Sequence, residues 1–196
     1  MLFEYIRSLT IPFENIETYI PEKGKILDAG CGHGIFTRIM AENSPNRKIL
    51  GIDPSEKKIG IAKSRNKIPN VTFKKAYLAE LSEKFDCIVI LDVLYLLPEK
   101  EKLKILKKAF NLLNPKGKMI LAINGKGNGV IYKMLEAEEW IMTKALKITH
   151  TDYNQVYFES REFCQKALSQ IGFKNIKEKK LSSLLPYPHI LFVAEK

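Results

Sequence analysis

The chain has 196 residues, of which 45% are apolar and 28% are charged, and its formal net charge is +10 at pH 7. This length suits one globular domain with a core of its own, and the composition excludes an intrinsically disordered chain. The three cysteines, Cys31, Cys87 and Cys164, lie far apart, without the paired spacing of a zinc site or a disulfide framework. We therefore expect a single domain over residues 1–196 that holds no metal and works in the reducing cytoplasm.

The excess of basic residues favours an anionic partner, such as nucleic acid or an anionic lipid surface. Only five of the 32 basic residues are arginines, however, and arginine is the residue that proteins use most to read bases. The lysines alternate with glutamates, as in Glu99–Lys102 and Lys177–Lys180, and that mixture is typical of a solvated surface. No apolar run approaches the ~20 residues that span a bilayer, so any membrane contact is expected to be weak and peripheral.

Short apolar runs alternate with amphipathic stretches through the first two thirds of the chain. After an N-terminal helical segment at residues 1–22, five runs are predicted as buried strands: Lys25–Ala29, Lys48–Ile52, Val71–Phe73, Phe85–Leu91 and Lys118–Ile123. Stretches with helical periodicity lie between them: Ile35–Glu42, Ser55–Lys67 and Lys100–Leu113. A turn is predicted at Asn114–Gly117. This alternation predicts βαβ units and a parallel sheet.

The last third of the chain has a different pattern. Val130–Ile148 is a long amphipathic stretch, and Ser160–Ile171 is predicted to be a further helix. Two strands follow, Phe173–Leu181 and His189–Ala194, and Ser182–Pro188 is too short for a crossover helix, so these strands are expected to pair antiparallel. The predicted fold is α/β, with an open, mostly parallel seven-stranded sheet, helices on both faces and a C-terminal antiparallel hairpin.

A glycine-rich loop, Asp28–Gly34, follows the first predicted strand and leads directly into a helix. Its sequence is Asp-Ala-Gly-Cys-Gly-His-Gly. Glycines are needed where the backbone turns sharply and where a ligand comes close to the main chain, and the N–H groups of the following helix point into such a loop. The dinucleotide-binding fingerprint needs a glycine at the position of Ile35, and a P-loop needs a Gly-Lys-Ser/Thr sequence, so the spacing fits neither.

The loop resembles motif I of the class I S-adenosylmethionine-dependent methyltransferases, in their small-molecule branch (methyltransferase type 11 or 12). Further segments resemble the acidic end of that family's second strand, its fourth strand with the following loop, and its fifth strand: Gly51–Ser55, Phe85–Leu97 and Leu112–Leu121. The resemblance covers residues 23–125 and implies a Rossmann-like fold with S-adenosylmethionine as cofactor. The residues it implies for cofactor binding are Asp28, Gly30, Cys31, Gly32, Gly34, Asp53, Pro54, Tyr77, Leu78 and Leu91.

Two of these positions have alternative interpretations. The resemblance implies that Asp53 accepts hydrogen bonds from the ribose hydroxyls, whereas its place before a helix also suits an N-cap of Ser55–Lys67. Tyr77 stands where the family usually has an acidic residue that grips the adenine amine. Either its ring stacks on adenine or the backbone at Leu78 holds the adenine instead; the further alternative is that Tyr77 packs at the strand end.

A catalytic base is not obligatory for methyl transfer, because holding two reactants at attack distance supplies most of the acceleration. Where the acceptor is a hydroxyl a base helps, and the candidates are Asp92, Tyr132, His150 and His189. For Asp92 the alternative is a carboxylate that caps the following turn. Residues 124–160 are predicted to form a lid or an insertion on the acceptor side.

The acceptor is predicted to be a small or lipid-like molecule that is methylated at oxygen, nitrogen or carbon. The Asn/Asp-Pro-Pro-Tyr/Phe motif typical of methylation at base amino groups is absent after the fourth predicted strand, where Leu91–Tyr95 stands. Aromatic residues are frequent around the expected acceptor region: Tyr95, Tyr132, Trp140, Tyr153 and Tyr157. The alternatives are a nucleic-acid methyltransferase, which the net charge favours, and a module that binds S-adenosylmethionine without catalysis.

Overall fold

The computed structural model describes residues 11–124, 157–182 and 189–196, and within these ranges seven strands form one sheet. The strands are β1 Gly24–Ala29, β2 Arg47–Asp53, β3 Val71–Lys75, β4 Phe85–Leu91, β5 Leu113–Asn124, β6 Lys174–Lys180 and β7 His189–Glu195. The helices are α1 Phe13–Glu17, α2 Ile35–Asn43, α3 Glu56–Arg65, α4 Glu99–Leu112 and α5 Arg161–Ile171. Short 3-10 turns occur at Leu78–Glu80 and Leu94–Leu96.

The sheet has the strand order β3-β2-β1-β4-β5-β7-β6. Strands β1 to β5 pair in parallel, and β7 pairs antiparallel with both β5 and β6. The predicted α/β fold, with its mostly parallel seven-stranded sheet and terminal antiparallel hairpin, is confirmed. The chain order reverses between β1 and β4, and a ligand of such a sheet binds outside the carboxyl ends of the strands at that point.

Helices cover both faces of the sheet, because neighbouring residues of each central strand point to opposite sides. In β1, Ile26 packs in a core with residues of α1 and α2, such as Phe13 and Met40. Its neighbour Leu27 packs in a second core with residues of α4 and α5, such as Leu106. Both side chains of β1 are fully buried, which is typical of a central parallel strand.

Strand β5 begins earlier than its apolar pattern predicts. Helix α4 ends at Leu112, and Leu113 already pairs with Phe85 of β4, after which the register shifts. Asn114 precedes a proline, which disfavours the helical conformation, so the helix ends before it. The predicted turn at Asn114–Gly117 lies inside β5 as an irregularity, with φ of +64° at Lys116.

Arg47, the first residue of β2, ties the N-terminal segment to the sheet. Its guanidinium donates to the backbone carbonyls of Pro21 (2.8 Å) and Met40 (2.7 Å) and pairs with Glu17. Helix α1 lies within the helical segment predicted at residues 1–22, of which residues 1–10 are outside the described ones. One of the few arginines therefore has a structural role and is unavailable to an anionic partner.

The Glu99–Lys102 run differs from the solvated surface that its charges predict. Lys102 is only 3% exposed, because its position on α4 turns it inward, where its Nζ lies 3.0 Å from Oε1 of the buried Glu159. The lysines of β6, by contrast, lie mostly exposed on an edge strand, where charge discourages pairing with other chains. Within the described ranges, no helix combines the length and apolar composition that crossing a bilayer requires.

Candidate active site

A cavity of about 230 Å³ opens at the carboxyl ends of β1, β2 and β4, where the strand order reverses. The glycine loop after β1 forms one part of its wall, and the segment after β4 forms another. Nine of the ten residues predicted to bind the cofactor line it: Asp28, Gly30, Cys31, Gly32, Asp53, Pro54, Tyr77, Leu78 and Leu91. The fold thus brings together predicted residues from four segments of the sequence.

The three glycines of the loop all have positive φ, but each position needs glycine for a different reason. A Cβ at Gly30 would lie 2.4 Å from Cγ2 of Val93, so only glycine allows the loop to lie this close to the segment after β4. At Gly32 a Cβ would meet nothing within 4 Å, and this part of the loop borders the open cavity. Only Gly32 therefore leaves room for a ligand against the backbone.

Gly34 is the one predicted cofactor residue that does not line the cavity among the described residues. It is the N-cap of α2, with φ of +78°. A Cβ there would lie 2.7 Å from Phe73 and 2.9 Å from Nδ2 of Asn66. This glycine therefore allows α2 to pack closely against the neighbouring layer.

Asp53, the last residue of β2, holds the glycine loop and the start of α3 together. Its Oδ2 accepts a hydrogen bond from the N–H of Gly32 (3.1 Å), and its Oδ1 accepts one from the N–H of Ser55 (2.9 Å). The N-cap of α3 is Ser55, whose hydroxyl accepts from the N–H of Lys58. The alternative interpretation of Asp53 as the helix cap is therefore wrong, because Ser55 is the N-cap of α3.

Asp28, the acid before the glycines, is almost fully buried. Burial, the largest effect, raises the pKa of Asp28 against the opposing hydrogen bond from Thr37, and with the smaller effect of the Asp53 carboxylate the pKa reaches about 6. The Thr37 hydroxyl donates to Oδ2 at 2.5 Å. A carboxyl group kept in the cavity wall at an electrostatic cost is a frequent property of binding sites.

Two other residues of this wall, Cys31 and Tyr77, differ in how far their side chains are buried. Burial raises the pKa of the Cys31 thiol well above its ordinary value, so this thiol is protonated and has little nucleophilic character. Tyr77 is 51% exposed at the cavity mouth, and its backbone N–H donates to Oε2 of Glu80 (2.9 Å). The Tyr77 ring is therefore not packed into the strand end, which leaves it accessible to a ligand in the cavity.

Asp92 follows β4 directly and is held from two sides. Its backbone has φ of +49° and its N–H donates to the carbonyl of Ala122 in β5 (3.1 Å). Its Oδ2 lies 3.0 Å from Nε2 of His189 in β7. The turn at Leu94–Leu96 begins after Val93 without a side-chain cap, so the alternative of Asp92 as a capping carboxylate is not supported.

A buried ion pair supports the wall next to Asp92. The side chains of Lys102 and Glu159 are only 4% and 1% exposed. Burial raises the pKa of Glu159, and the Asp92 carboxylate adds a weaker effect in the same direction. The positive charge of Lys102 and its hydrogen bond oppose this shift. The N–H of Tyr157 donates to the carbonyl of Tyr95 (2.7 Å), and the Tyr95 ring stacks on Phe158. The segment before α5 thus holds Tyr95 in the cavity wall.

Several cavity residues carry no signal in the sequence that identifies them. Phe13 of α1 and Phe36 of α2 stack on each other in the wall, 5.3 Å between ring centres, and His33, Lys58 and Ile105 also line it. An aromatic residue on a helix usually belongs to the core, so periodicity alone does not single out these positions. The candidate bases Tyr132 and His150, and residues 125–156 of the lid or insertion predicted at residues 124–160, lie outside the described residues.

The chain is similar in sequence to curated proteins, one of which is named as a methyltransferase. The chain is 30% identical to an uncharacterized protein of Rickettsia prowazekii, over 87% of this chain and 65% of that protein. It is 26% identical to a ubiquinone biosynthesis O-methyltransferase of Pseudomonas fluorescens, over 64% of this chain and 55% of that protein. The chain spans about half to two thirds of the length of the curated relatives it matches.

Solved structures show the same fold. The magnesium protoporphyrin IX methyltransferase of Synechocystis, crystallised with S-adenosylhomocysteine, superposes with a TM-score of 0.72 at 21% identity, over 94% of this chain and 81% of that chain. A family model described as a methyltransferase domain matches residues 3–178. The chain therefore belongs to the methyltransferase domain family, with the Rossmann-like fold that its glycine loop predicts.

Proposed function

We propose that the protein transfers a methyl group from S-adenosylmethionine to a small-molecule or lipid-like acceptor. The observation that carries this proposal is the pairing of an open glycine, Gly32, with the buried carboxylate of Asp53 in one cavity wall. Membership of the methyltransferase domain family supports it. The names of the matched ubiquinone biosynthesis and protoporphyrin enzymes support a small, largely apolar acceptor.

The donor set of the cavity fits S-adenosylmethionine. A carboxylate has about four acceptor positions, and the N–H groups of Gly32 and Ser55 occupy one on each oxygen of Asp53. One position on each oxygen remains, which suits two neighbouring ribose hydroxyls. The exposed Tyr77 ring and the backbone at Leu78 suit an adenine base.

The residues of the cavity bind and orient the reactants. When bound, S-adenosylmethionine supplies an electrophilic methyl group on a positively charged sulfur. Asp28 and the glycine loop hold S-adenosylmethionine. The apolar wall, which includes Phe13, Phe36 and Tyr95, excludes water from the methyl acceptor. Such positioning supplies much of the acceleration of a transfer between two bound molecules.

The first test is calorimetry of the purified protein with S-adenosylhomocysteine and, separately, with NAD. We expect the homocysteine compound to bind and NAD to bind far more weakly, because Ile35 stands where a glycine must allow close approach of a pyrophosphate. Equal or tighter binding of NAD would refute the assignment. Binding of S-adenosylhomocysteine without methylation of any acceptor in a cell extract, followed by mass spectrometry, would favour a non-catalytic binding module instead.

The nucleic-acid alternative makes a separate prediction. A protein that binds RNA through its net charge loses affinity steeply as salt rises. In the described ranges the lysines of β6 lie on an edge strand that β5 and β7 separate from the strands around the cavity. We therefore expect RNA binding to be weak and to leave the affinity for S-adenosylhomocysteine unchanged.

A further inference from the structure

A buried carboxylate–imidazole pair lies at the edge of the sheet that carries the cavity. Asp92 and His189 are in hydrogen-bond contact, and the side chain of each is only 1% exposed. Asp92 lines the cavity, whereas His189 is not among the described residues of its wall. Among the described residues, Asp92 is therefore the contact through which His189 reaches the cavity.

Three neighbouring strands determine where the Asp92 carboxylate points. Strand β4 ends immediately before it, β5 accepts its backbone N–H, and β7 supplies His189. A positive φ is uncommon for a residue other than glycine, and such conformations cluster at functional sites. When Asp92 is ionised, its carboxylate only accepts hydrogen bonds, so in that state Nε2–H of His189 is the donor that holds the carboxylate in place.

The polar character of this cluster extends beyond the pair. Asn124 of β5 lies opposite His189 in the antiparallel register and is 6% exposed. Its Oδ1 has no hydrogen-bond partner among the described residues. Buried polar atoms without partners are costly, and a fold that needed only packing at this place would be more stable with apolar residues.

We infer that Asp92 is the base that accepts the proton of the methyl acceptor, that His189 is its positioning residue, and that the acceptor nucleophile is a hydroxyl. The inference rests on the proposed methyl transfer. As the acceptor oxygen forms its bond to the methyl carbon, the O–H bond breaks and its proton passes to Asp92. The carbon–sulfur bond breaks with its electron pair remaining on sulfur, and the proton on Asp92 is later released to solvent.

The experiment measures methylation of catechol, salicylate and n-octanol as hydroxyl probes, and of quinoline, whose ring nitrogen carries no proton. For Asp92→Asn we expect kcat on the hydroxyl probe to fall roughly 10²- to 10⁴-fold, the range typical of a general base. Methylation of quinoline and the calorimetric affinity for S-adenosylhomocysteine are expected to stay unchanged. A matched control is Asp86→Asn, at a carboxylate within β4 that accepts hydrogen bonds from Lys25 and Asn114 and is not among the described cavity residues.

The role of His189 is tested by two variants. His189→Leu removes the hydrogen bond to Asp92, and we expect kcat on the hydroxyl probe to fall roughly a hundredfold with KM unchanged, as for a misplaced catalytic group. His189→Gln retains an N–H donor and is expected to recover most of that loss. A purely structural pair would instead lower the melting temperature in both variants with kcat unaltered.

Three results would overturn the inference. The first is a wild-type protein that binds S-adenosylhomocysteine but methylates none of the hydroxyl probes. The second is an Asp92→Asn variant that loses quinoline and hydroxyl methylation equally, and the third is full activity of both Asp92→Asn and His189→Leu. Failure of the wild type to bind S-adenosylhomocysteine would refute the proposed function itself, so the two failures are distinguishable.

Discussion

The two sides of the cavity are built in different ways. The side formed by the glycine loop uses two short segments, Asp28–Thr37 and Asp53–Ser55, and most of its contacts involve backbone N–H groups or positions where only glycine fits. The side beyond β4 uses side chains from four separate segments of the chain. There Asp92 meets His189, 97 positions later, and Lys102 meets Glu159.

This difference in construction determines whether a substitution changes ligand affinity or stability. A loop held by backbone groups keeps its shape when a neighbouring side chain changes, so substitutions there alter mainly what the loop binds. A wall held by buried ionic and polar side chains loses its shape when one partner is removed, since the other is left buried and unpaired. We therefore expect substitutions on the glycine-loop side to act mainly on affinity, and loss of one partner of the buried Lys102–Glu159 ion pair on the opposite side to act mainly on stability.

Removing the Lys102 ammonium is expected to have the largest effect. Lys102→Met leaves the Glu159 carboxylate buried without its partner, which typically lowers the free energy of unfolding by about 3–5 kcal/mol. Urea denaturation at pH 7 measures this change. The double variant Lys102→Met with Glu159→Gln is expected to recover most of this lost stability. The control Lys75→Met breaks an exposed pair with Glu56 and is expected to lower the free energy of unfolding by at most about 1 kcal/mol. Equal losses for the buried and exposed pairs would contradict the structural role of the buried pair.

The exception on the glycine-loop side is Asp28, whose charge is expected to lower stability. Its pKa is raised from 3.8 to about 6, so between these values the folded state binds more protons than the unfolded state, and stability falls as pH rises. Above pH 7 this amounts to about 3 kcal/mol. Asp28→Asn, which can still accept from Thr37, is therefore expected to be more stable than the wild type at pH 8, with a difference that shrinks towards pH 4.

Denaturation curves at several pH values measure this difference. A gap between Asp28→Asn and the wild type that stays constant from pH 4 to pH 8 would show that Asp28 is not the group responsible. Loss of S-adenosylhomocysteine affinity in the same variant would indicate that the acid is retained for binding at the expense of stability, as is common at functional sites.

Replacing Asp53 is expected to give the smallest free-energy change of the three, and that change acts on the affinity for S-adenosylhomocysteine. Hydrogen bonds to a charged group contribute about 1.5–3 kcal/mol, so Asp53→Ala is expected to weaken binding of S-adenosylhomocysteine about tenfold to a hundredfold. The control is Ser55→Ala, which removes the true cap of α3 and is expected to lower stability by about 0.5–2 kcal/mol while binding stays unchanged. Calorimetry and thermal unfolding of both variants measure the two effects. An Asp53→Ala variant with lower stability but unchanged affinity would refute the ribose-binding role.

Much of the fold was predictable because its signals are local. Apolar runs and turn residues placed each of the seven strands within a few residues of its bounds, apart from β5, whose register shift near Lys116 has no apolar pattern. The glycine loop was predictable for the same reason, since Asp28–Gly34 is one continuous motif. Gly34 shows the limit of the motif, because its packing against Phe73 depends on a strand far along the chain.

The sequence by itself determined the α/β class, the place of the glycine loop and the acid at the end of β2, because each depends on residues that are neighbours in the chain. Only the tertiary structure decided that Ser55 rather than Asp53 caps α3, that Lys102 is buried within a run of charges, and that His189 meets Asp92. Helical periodicity shows that a residue can face inward, but the partner that makes burial of its charge tolerable comes from a distant segment. Contacts of that kind are set by how strands stack into a sheet, and no short stretch of sequence records them.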